Sequence, residues 1–242
     1  MKRAMAIAVV LVASSGTAWA QQGSNGNCGE LPRAAQLTTL LVGASDGTVG
    51  GLFNGSRMWA AVVNRDGELC AVVASAGDPS QVWPGSQAIA KAKAYTANAF
   101  SLDVLALSTA MLYTFTQPGH SLWSLGGSNA FDPDFLAPTG TQGGGQGQIT
   151  GGQIFFGGGV PLYRSGRIIG ALGVSGDTSC ADHEIAKRVR DSAGLNPQGG
   201  ATADDITYSA VDGASAFTHP ACLNTWRNGV NLGLTEAPAV GY

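Results

Sequence analysis

The chain has 242 residues, of which 12% are charged, and its net charge at pH 7 is −3. Nucleic acids and acidic membrane surfaces attract basic proteins, so this charge gives no reason to expect either as a partner. The composition, with 44% hydrophobic residues and 36 glycines, indicates packed structure with long ordered loops and argues against disorder.

The first twenty residues have the pattern of a secretion signal. Lys2 and Arg3 precede an apolar run, residues 4–13, that is too short to span a membrane, and residues 18–20 form a small-x-small cleavage motif. We expect cleavage before Gln21, a periplasmic or extracellular mature chain, and no membrane insertion, since no later apolar run is long enough.

Hydrophobic periodicity and turn residues predict the elements that follow. In chain order they are a helix over 31–44, strands over 58–64 and 68–74, a helix over 86–100 capped by Ser86, a short helix over 104–115, a loop over 117–159, strands over 160–164 and 167–175, a helix over 181–192, and a tail with a short helix near 223–228. Asp66-Gly67 and Ser165-Gly166 are predicted to close two hairpins.

Two antiparallel hairpins with helices between them indicate an α+β fold, with an antiparallel central sheet and helices packed on it. We expect one domain over residues 31–193 and a C-terminal extension, residues 194–242, packed on that domain. Loops as long as residues 117–159 are uncommon in compact domains and are usually functional.

Glycines concentrate around the second hairpin. Gly157, Gly158 and Gly159 precede its first strand, and Gly170 and Gly173 lie within its return strand. Glycine inside a strand usually marks a close approach of backbone or ligand, so these residues predict one wall of a binding site. Backbone N–H groups at Gly158 and Gly159 would suit a flat ligand or an anion.

The four cysteines allow three disulfide connectivities. Cys180-x-x-His183 and His219-x-x-Cys222 form a mirrored pair with the ligand types of a Cys₂His₂ zinc site. The competing interpretation is a Cys180–Cys222 disulfide, with Cys28 paired to Cys70, and an oxidising compartment favours it. Asp177, Asp182 and His183 are either metal ligands or helix-capping groups.

Three separated blocks resemble the GlcG/HbpS family of haem-binding or haem-degrading domains, which also includes the C-terminal domain of PduO-type proteins. The blocks are WAAVVNRDGELCAVV, PGSQAIAKAKAYTANAF and GGGVPLYRSGRIIGALGVSGDT. The blocks occur in family order, and the resemblance as a whole covers roughly residues 31–192. The resemblance implies a profilin- or PAS-like α+β fold, homo-oligomers, and haem binding, with haem breakdown or iron handling in some members.

Haem binding would require an iron ligand and groups around the porphyrin. His120 is the candidate axial ligand, with Trp123 against the porphyrin face, and Tyr163 is a second candidate ligand. Lys91, on the helix that borders the family's pocket, is the candidate partner of a haem propionate. The alternative interpretations are a surface histidine, a core tyrosine and a solvated lysine.

We expect the pocket between the 117–159 loop, the 86–100 helix and the beginning of the second hairpin. Two other functions remain open at this point. One is an enzyme acting on a small carboxylate-bearing molecule near Lys91 and His120, without haem. The other is a sensory or structural partner protein.

Overall fold

The computed structural model describes residues 27–128, 130–132 and 147–241. The predicted signal sequence, its cleavage site and part of the long loop lie outside the described residues. The helices are α1 Ala34–Gly43, α2 Gly85–Phe100, α3 Ser179–Ser192 and α4 Ser209–Asp212. The strands are β1 Trp59–Asn64, β2 Leu69–Ala74, β3 Gly159–Arg164, β4 Arg167–Ser175, β5 Thr207–Tyr208, β6 Thr218–His219, β7 Thr225–Arg227 and β8 Val230–Gly233.

The central sheet has four strands in the order β2-β1-β4-β3, and every neighbouring pair is antiparallel. In β1, Trp59 lies opposite Ala74 on one side and opposite Ser175 on the other. All six residues of β1 are buried, because helices cover both faces of the sheet. This explains why the strand is almost continuously apolar and does not alternate. The α+β fold with helices on an antiparallel sheet is confirmed.

Helix α2 covers one face of the sheet. Ala90, Ala94 and Ala97 pack against sheet residues that include Trp59 and Ala171. An ideal Cβ built on Gly173 of β4 would overlap the carbonyl oxygen of Ala90 and the backbone nitrogen of Ala94. Small residues on both surfaces therefore let the helix backbone lie directly on the strand.

Helices α1 and α3 cover the other face. Leu37 and Leu41 of α1 and Ile185 and Val189 of α3 belong to one buried cluster with the alternate positions of the sheet. Thr178 caps α3 by accepting a hydrogen bond from the backbone N–H of Ala181. The N-terminus of α3 therefore has a fixed position at one end of the sheet.

The tail after α3 is fastened by buried polar contacts. The guanidinium of Arg190 donates to both carboxylate oxygens of Asp204 at 2.6 and 2.8 Å, and both side chains are fully buried. Further along, β5 pairs in parallel with β6. Ile206, Tyr208 and Cys222 then form a third apolar cluster with Ala110 and Cys180.

Three local predictions are wrong. Helix α2 begins after Pro84, so Ser86 lies inside the first turn and is not the N-cap. In place of the helix predicted over 104–115, the chain makes a turn between Leu102 and Leu105 and then two short 3₁₀ helices, Thr109–Leu112 and Thr114–Thr116. Residues near 223–228 contribute to the β7–β8 hairpin, in which Asn228 and Gly229 adopt positive φ values of 53° and 78° at the turn.

Candidate functional site

His120 is partly exposed, and it follows the Thr114–Thr116 3₁₀ helix. Its backbone carbonyl accepts a hydrogen bond from the N–H of Trp123 at 3.1 Å, so a tight turn holds the two residues together. The indole of Trp123 is 57% exposed. An ideal Cβ on Gly241 would lie 3.6 Å from Cε1 of His120, so the end of the tail lies beside the imidazole.

Aromatic residues extend this surface. The ring of Phe115 packs edge-on against that of Phe217, with centroids 5.7 Å apart. The backbone N–H of Leu122 donates to the carbonyl of Phe115 at 2.9 Å, which connects the rings to the His120 turn. We call His120, Trp123, Phe115, Leu122 and Phe217 the His120 patch. It combines one imidazole with apolar and aromatic groups at the protein surface.

The remaining predicted ligand residues are buried. Lys91 is fully buried in the covered helix α2, and burial lowers the pKa of its ammonium group to about 8. It is therefore not on a solvated face, and in this conformation it is not at the surface. The phenol of Tyr163 is also buried and donates to the carbonyl of Leu102 at 2.7 Å. Burial raises the pKa of Tyr163 to about 12.

Gly158 and Gly159, where β3 begins, contact other protein atoms and leave no open surface for a ligand. An ideal Cβ on Gly158 would lie 2.7 Å from Nζ of Lys93, and the residue has a φ of 118°. An ideal Cβ on Gly159 would overlap Cγ2 of Thr109, whose hydroxyl accepts the Gly159 N–H at 2.9 Å. Their lack of side chains makes room for Lys93 and Thr109.

Lys93 forms the centre of a buried polar group that the sequence prediction missed. Its Nζ lies 2.7 Å from Oδ2 of Asp182, and the two side chains are 0% and 2% exposed. The same Nζ donates to the carbonyl of Val174 at 3.1 Å and lies 5.0 Å from the ring centroid of Phe156. Oδ1 of Asp182 accepts the backbone N–H of Asp177 at 2.9 Å.

Burial changes the protonation equilibria of this pair in opposite senses. It lowers the pKa of Lys93 and raises the pKa of Asp182, and the charge of each partner opposes the shift of the other. The pair is 89 residues apart in the chain, so residue spacing gave no signal for it. The sequence indicated only that Asp182 lies at the beginning of a helix.

Both disulfides of the favoured interpretation are confirmed. Cys28 is bonded to Cys70 and Cys180 to Cys222, with Cα–Cα distances of 5.5 and 5.9 Å. The ligand atoms of Cys180, His219 and Cys222 lie within 4.8 Å of one another. The Cys₂His₂ zinc site is nevertheless not supported, because both sulfurs are joined in a disulfide and neither is a thiolate.

The other two histidines are buried. Nε2 of His219 accepts the backbone N–H of Gly157 at 3.1 Å, so Nδ1 carries the proton and donates to the carbonyl of Pro220 at 2.7 Å. Burial lowers the pKa of His219 to about 4. Burial also lowers the pKa of His183 well below its usual range, and its Nε2 lies 3.6 Å from Oδ1 of Asp205.

Asp177 accepts hydrogen bonds from the backbone of a turn. Its two carboxylate oxygens accept the backbone N–H groups of Leu52 and Phe53 at 2.6 and 2.7 Å, and Oδ1 also accepts the N–H of Thr178. Together with the Lys93 contact of Asp182, this shows that the carboxylates of Asp177 and Asp182 make contacts within the protein. His120 and Trp123 are thus the predicted ligand residues that lie at the surface.

Fold and site together define an α+β domain with helices on both faces of an antiparallel sheet and a disulfide-fastened tail. Residues 48–191, more than half of the chain, match the family model described as haem degrading protein HbpS-like. The chain therefore belongs to the HbpS-like family, and the resemblance noted in the sequence is confirmed. A comparison with curated proteins finds no match.

Several solved structures are similar to this chain. The Klebsiella pneumoniae protein ORFY shares 23% identity, with a TM-score of 0.46 over 66% of this chain and 87% of its own. The PduOC complex with haem shares 24%, with a TM-score of 0.46 over 66% and 89%. A double mutant of Streptomyces reticuli HbpS shares 20%, with a TM-score of 0.47 over 76% and 97%.

Proposed function

We propose that this protein binds haem at the His120 patch, with His120 as the axial ligand of the iron. The observation that carries the proposal is the family match, because the family model is described as haem-degrading. The composition of the patch supports it: imidazole is a common ligand of haem iron, and the aromatic neighbours suit a flat apolar macrocycle.

Each residue of the patch has a separate task in this proposal. His120 would supply a nitrogen to the iron, and its backbone turn with Trp123 holds the two residues together. Trp123 covers one face of the ring, while Phe115 and Phe217 supply apolar contact. Bound haem supplies the redox-active iron that breakdown of the macrocycle requires. Lys91 contributes to propionate binding only if helix α2 becomes uncovered, since it is buried.

Titration of the purified protein with haemin tests the proposal. We expect a Soret shift that saturates at one haem per binding patch, a changed Soret position in His120→Ala, and at least tenfold weaker binding in Trp123→Ala. Trp83→Ala is the matched control, because Trp83 is 51% exposed but lies beside Phe53, outside the patch. An absent shift in the wild-type protein contradicts haem binding. An identical spectrum in His120→Ala contradicts the ligand assignment alone.

The alternative is an enzyme that acts on a small carboxylate near Lys91 and His120. Lys91 is buried, so its ammonium group is not accessible to such a substrate.

Haem breakdown belongs to the same proposal as haem binding. Decay of the Soret band of the loaded protein under ascorbate and oxygen, slower in His120→Ala, is the result we expect.

Secretion and self-association complete the proposal. Two disulfides support an oxidising compartment, which is periplasmic or extracellular. Among the described residues, no helix is long and apolar enough to cross a membrane. Fractionation of the producing cell tests the compartment, and light scattering tests the predicted homo-oligomer.

A further inference from the structure

We propose that Lys93 and Asp182 condense to an amide, which forms a covalent cross-link between helix α2 and the N-terminus of helix α3. The contact distance carries the proposal first. Nζ of Lys93 lies 2.7 Å from Oδ2 of Asp182, and both residues are held by elements packed on opposite faces of the same sheet. Reacting groups that are fixed in contact have a high effective concentration.

The surroundings of the pair favour an uncharged product. Both side chains are almost completely buried, and Phe156 packs its ring over Nζ at 5.0 Å. A buried ion pair carries the desolvation cost of two charges, which an amide does not. The same exclusion of water slows hydrolysis of the bond once it has formed.

The polar neighbours match an amide as well as they match the ion pair. An amide N–H formed at Nζ has an acceptor in the carbonyl of Val174, now 3.1 Å away. The amide carbonyl, formed from Oδ1 of Asp182, keeps its donor in the backbone N–H of Asp177 at 2.9 Å. Each polar atom that remains after the reaction thus has a partner, and Oδ2 is the atom that leaves.

The reaction balances without any co-reactant. The lone pair of the deprotonated Nζ attacks Cγ of Asp182, the Nζ–Cγ bond forms, and the Cγ–Oδ2 bond breaks. Of the three protons on the ammonium group, one stays on the amide nitrogen. The other two move to Oδ2, which leaves as water. The positive and negative charges of the pair disappear together. Burial, which disfavours both charged forms, assists the first proton transfer.

Mass spectrometry of the reduced and alkylated protein tests the cross-link. We expect the wild-type chain to be lighter by one water molecule than the mass calculated for the mature, alkylated sequence, and trypsin to leave the bond after Lys93 uncut. The peptide containing Lys93 should then be joined to the peptide containing Asp182. Lys91→Arg is the matched control, since Lys91 is a buried lysine two residues away on α2, and it should keep the water loss.

Two variants of the pair give distinct expectations. Lys93→Arg keeps the positive charge but should have its full sequence mass. Asp182→Asn should lose one ammonia and reach the same final mass as the wild-type protein, because both leaving groups give the same amide. A folded wild-type protein with its full sequence mass, a cleaved bond after Lys93 and a linear Asp182 peptide overturns the proposal, whatever the variants do.

Discussion

His219 illustrates how a single side chain can be held in one protonation state. Its Nε2 must accept because the backbone N–H of Gly157 donates to it, and its Nδ1 proton has an acceptor in the carbonyl of Pro220. Protonation of Nε2 would break the first of these bonds in a buried position. The neutral form is therefore the one that the folded protein stabilises.

This predicts acid sensitivity. The pKa of His219 is about 4 in the folded protein, below its ordinary value of 6.5, so the stability it contributes is complete above about pH 6.5 and is lost as the pH falls towards 4. The shift corresponds to about 3 kcal/mol. We expect His219→Gln, which keeps an acceptor but does not titrate, to reduce the loss of unfolding free energy between about pH 7 and about pH 5.

Urea unfolding of both proteins at each pH measures the effect. Burial lowers the pKa of His183 in both proteins, so its contribution, in the same direction, is present in each of them. Equal pH dependence in the variant and the wild-type protein would contradict the assignment to His219.

At the scale of elements, the packing of α2 on β4 depends on side-chain size. Alanines at 90, 94 and 97 lie against the sheet, and Gly173 lies where the helix backbone comes closest. The sequence singled out this glycine but did not identify the group that approaches it. Its position inside a strand predicted close approach of backbone or ligand, and the structure identifies the approaching group as the backbone of α2.

Gly173→Ala is expected to lower the free energy of unfolding by about 3 kcal/mol, because the added methyl group overlaps backbone that cannot move without shifting the helix. Gly43→Ala is the matched control: an added Cβ there meets no atom within 4 Å, and the change should stay within about 1 kcal/mol. Denaturant unfolding compares the two. A change at Gly173 as small as that at Gly43 would contradict the packing argument.

Turn residues and strand patterns in the sequence predicted several of the elements correctly. Asp66-Gly67 and Ser165-Gly166 closed the two predicted hairpins, and β4 has the predicted bounds. Residues 223–228 were misread because apolar spacing over six residues suits a helical turn and a strand pair equally well. Lys93 and Asp182 are far apart in the chain and meet only in the folded protein. Their contact could therefore not be predicted from one sequence.

At the scale of the whole molecule, two ion pairs and a disulfide are among the contacts that join the tail to the sheet domain. Arg190 pairs with Asp204, Lys187 contacts Asp205 at 2.7 Å, and Cys222 is bonded to Cys180. The sequence left three cysteine pairings open, and the expected oxidising compartment favoured the one that the structure has. The burial of Lys91, in contrast, depends on how α2 is covered in the folded molecule, so a pocket residue was predicted where the protein has a covered helix.

The two disulfides have the same sequence separation, 42 residues, and this makes them a matched pair. Loop-closure entropy predicts that removing either one costs about 4 kcal/mol of unfolding free energy. We expect the double variant Cys180→Ser/Cys222→Ser also to raise hydrogen exchange in β5 and β6, because the tail loses its fastening. Cys28→Ser/Cys70→Ser should not. Equal exchange in these strands would show that the other tail contacts suffice.

The hydrogen bond between His219 and Gly157 also constrains the order of events during synthesis. Gly157 belongs to the segment that leads into the central sheet, but the acceptor of its N–H is made 62 residues later. A chain emerging from the ribosome can pair its four central strands by the time α3 has appeared. The end of the sheet beside α3 stays incomplete until residues 218–222 follow, so the nascent protein reaches its finished core only after this later segment has been translated.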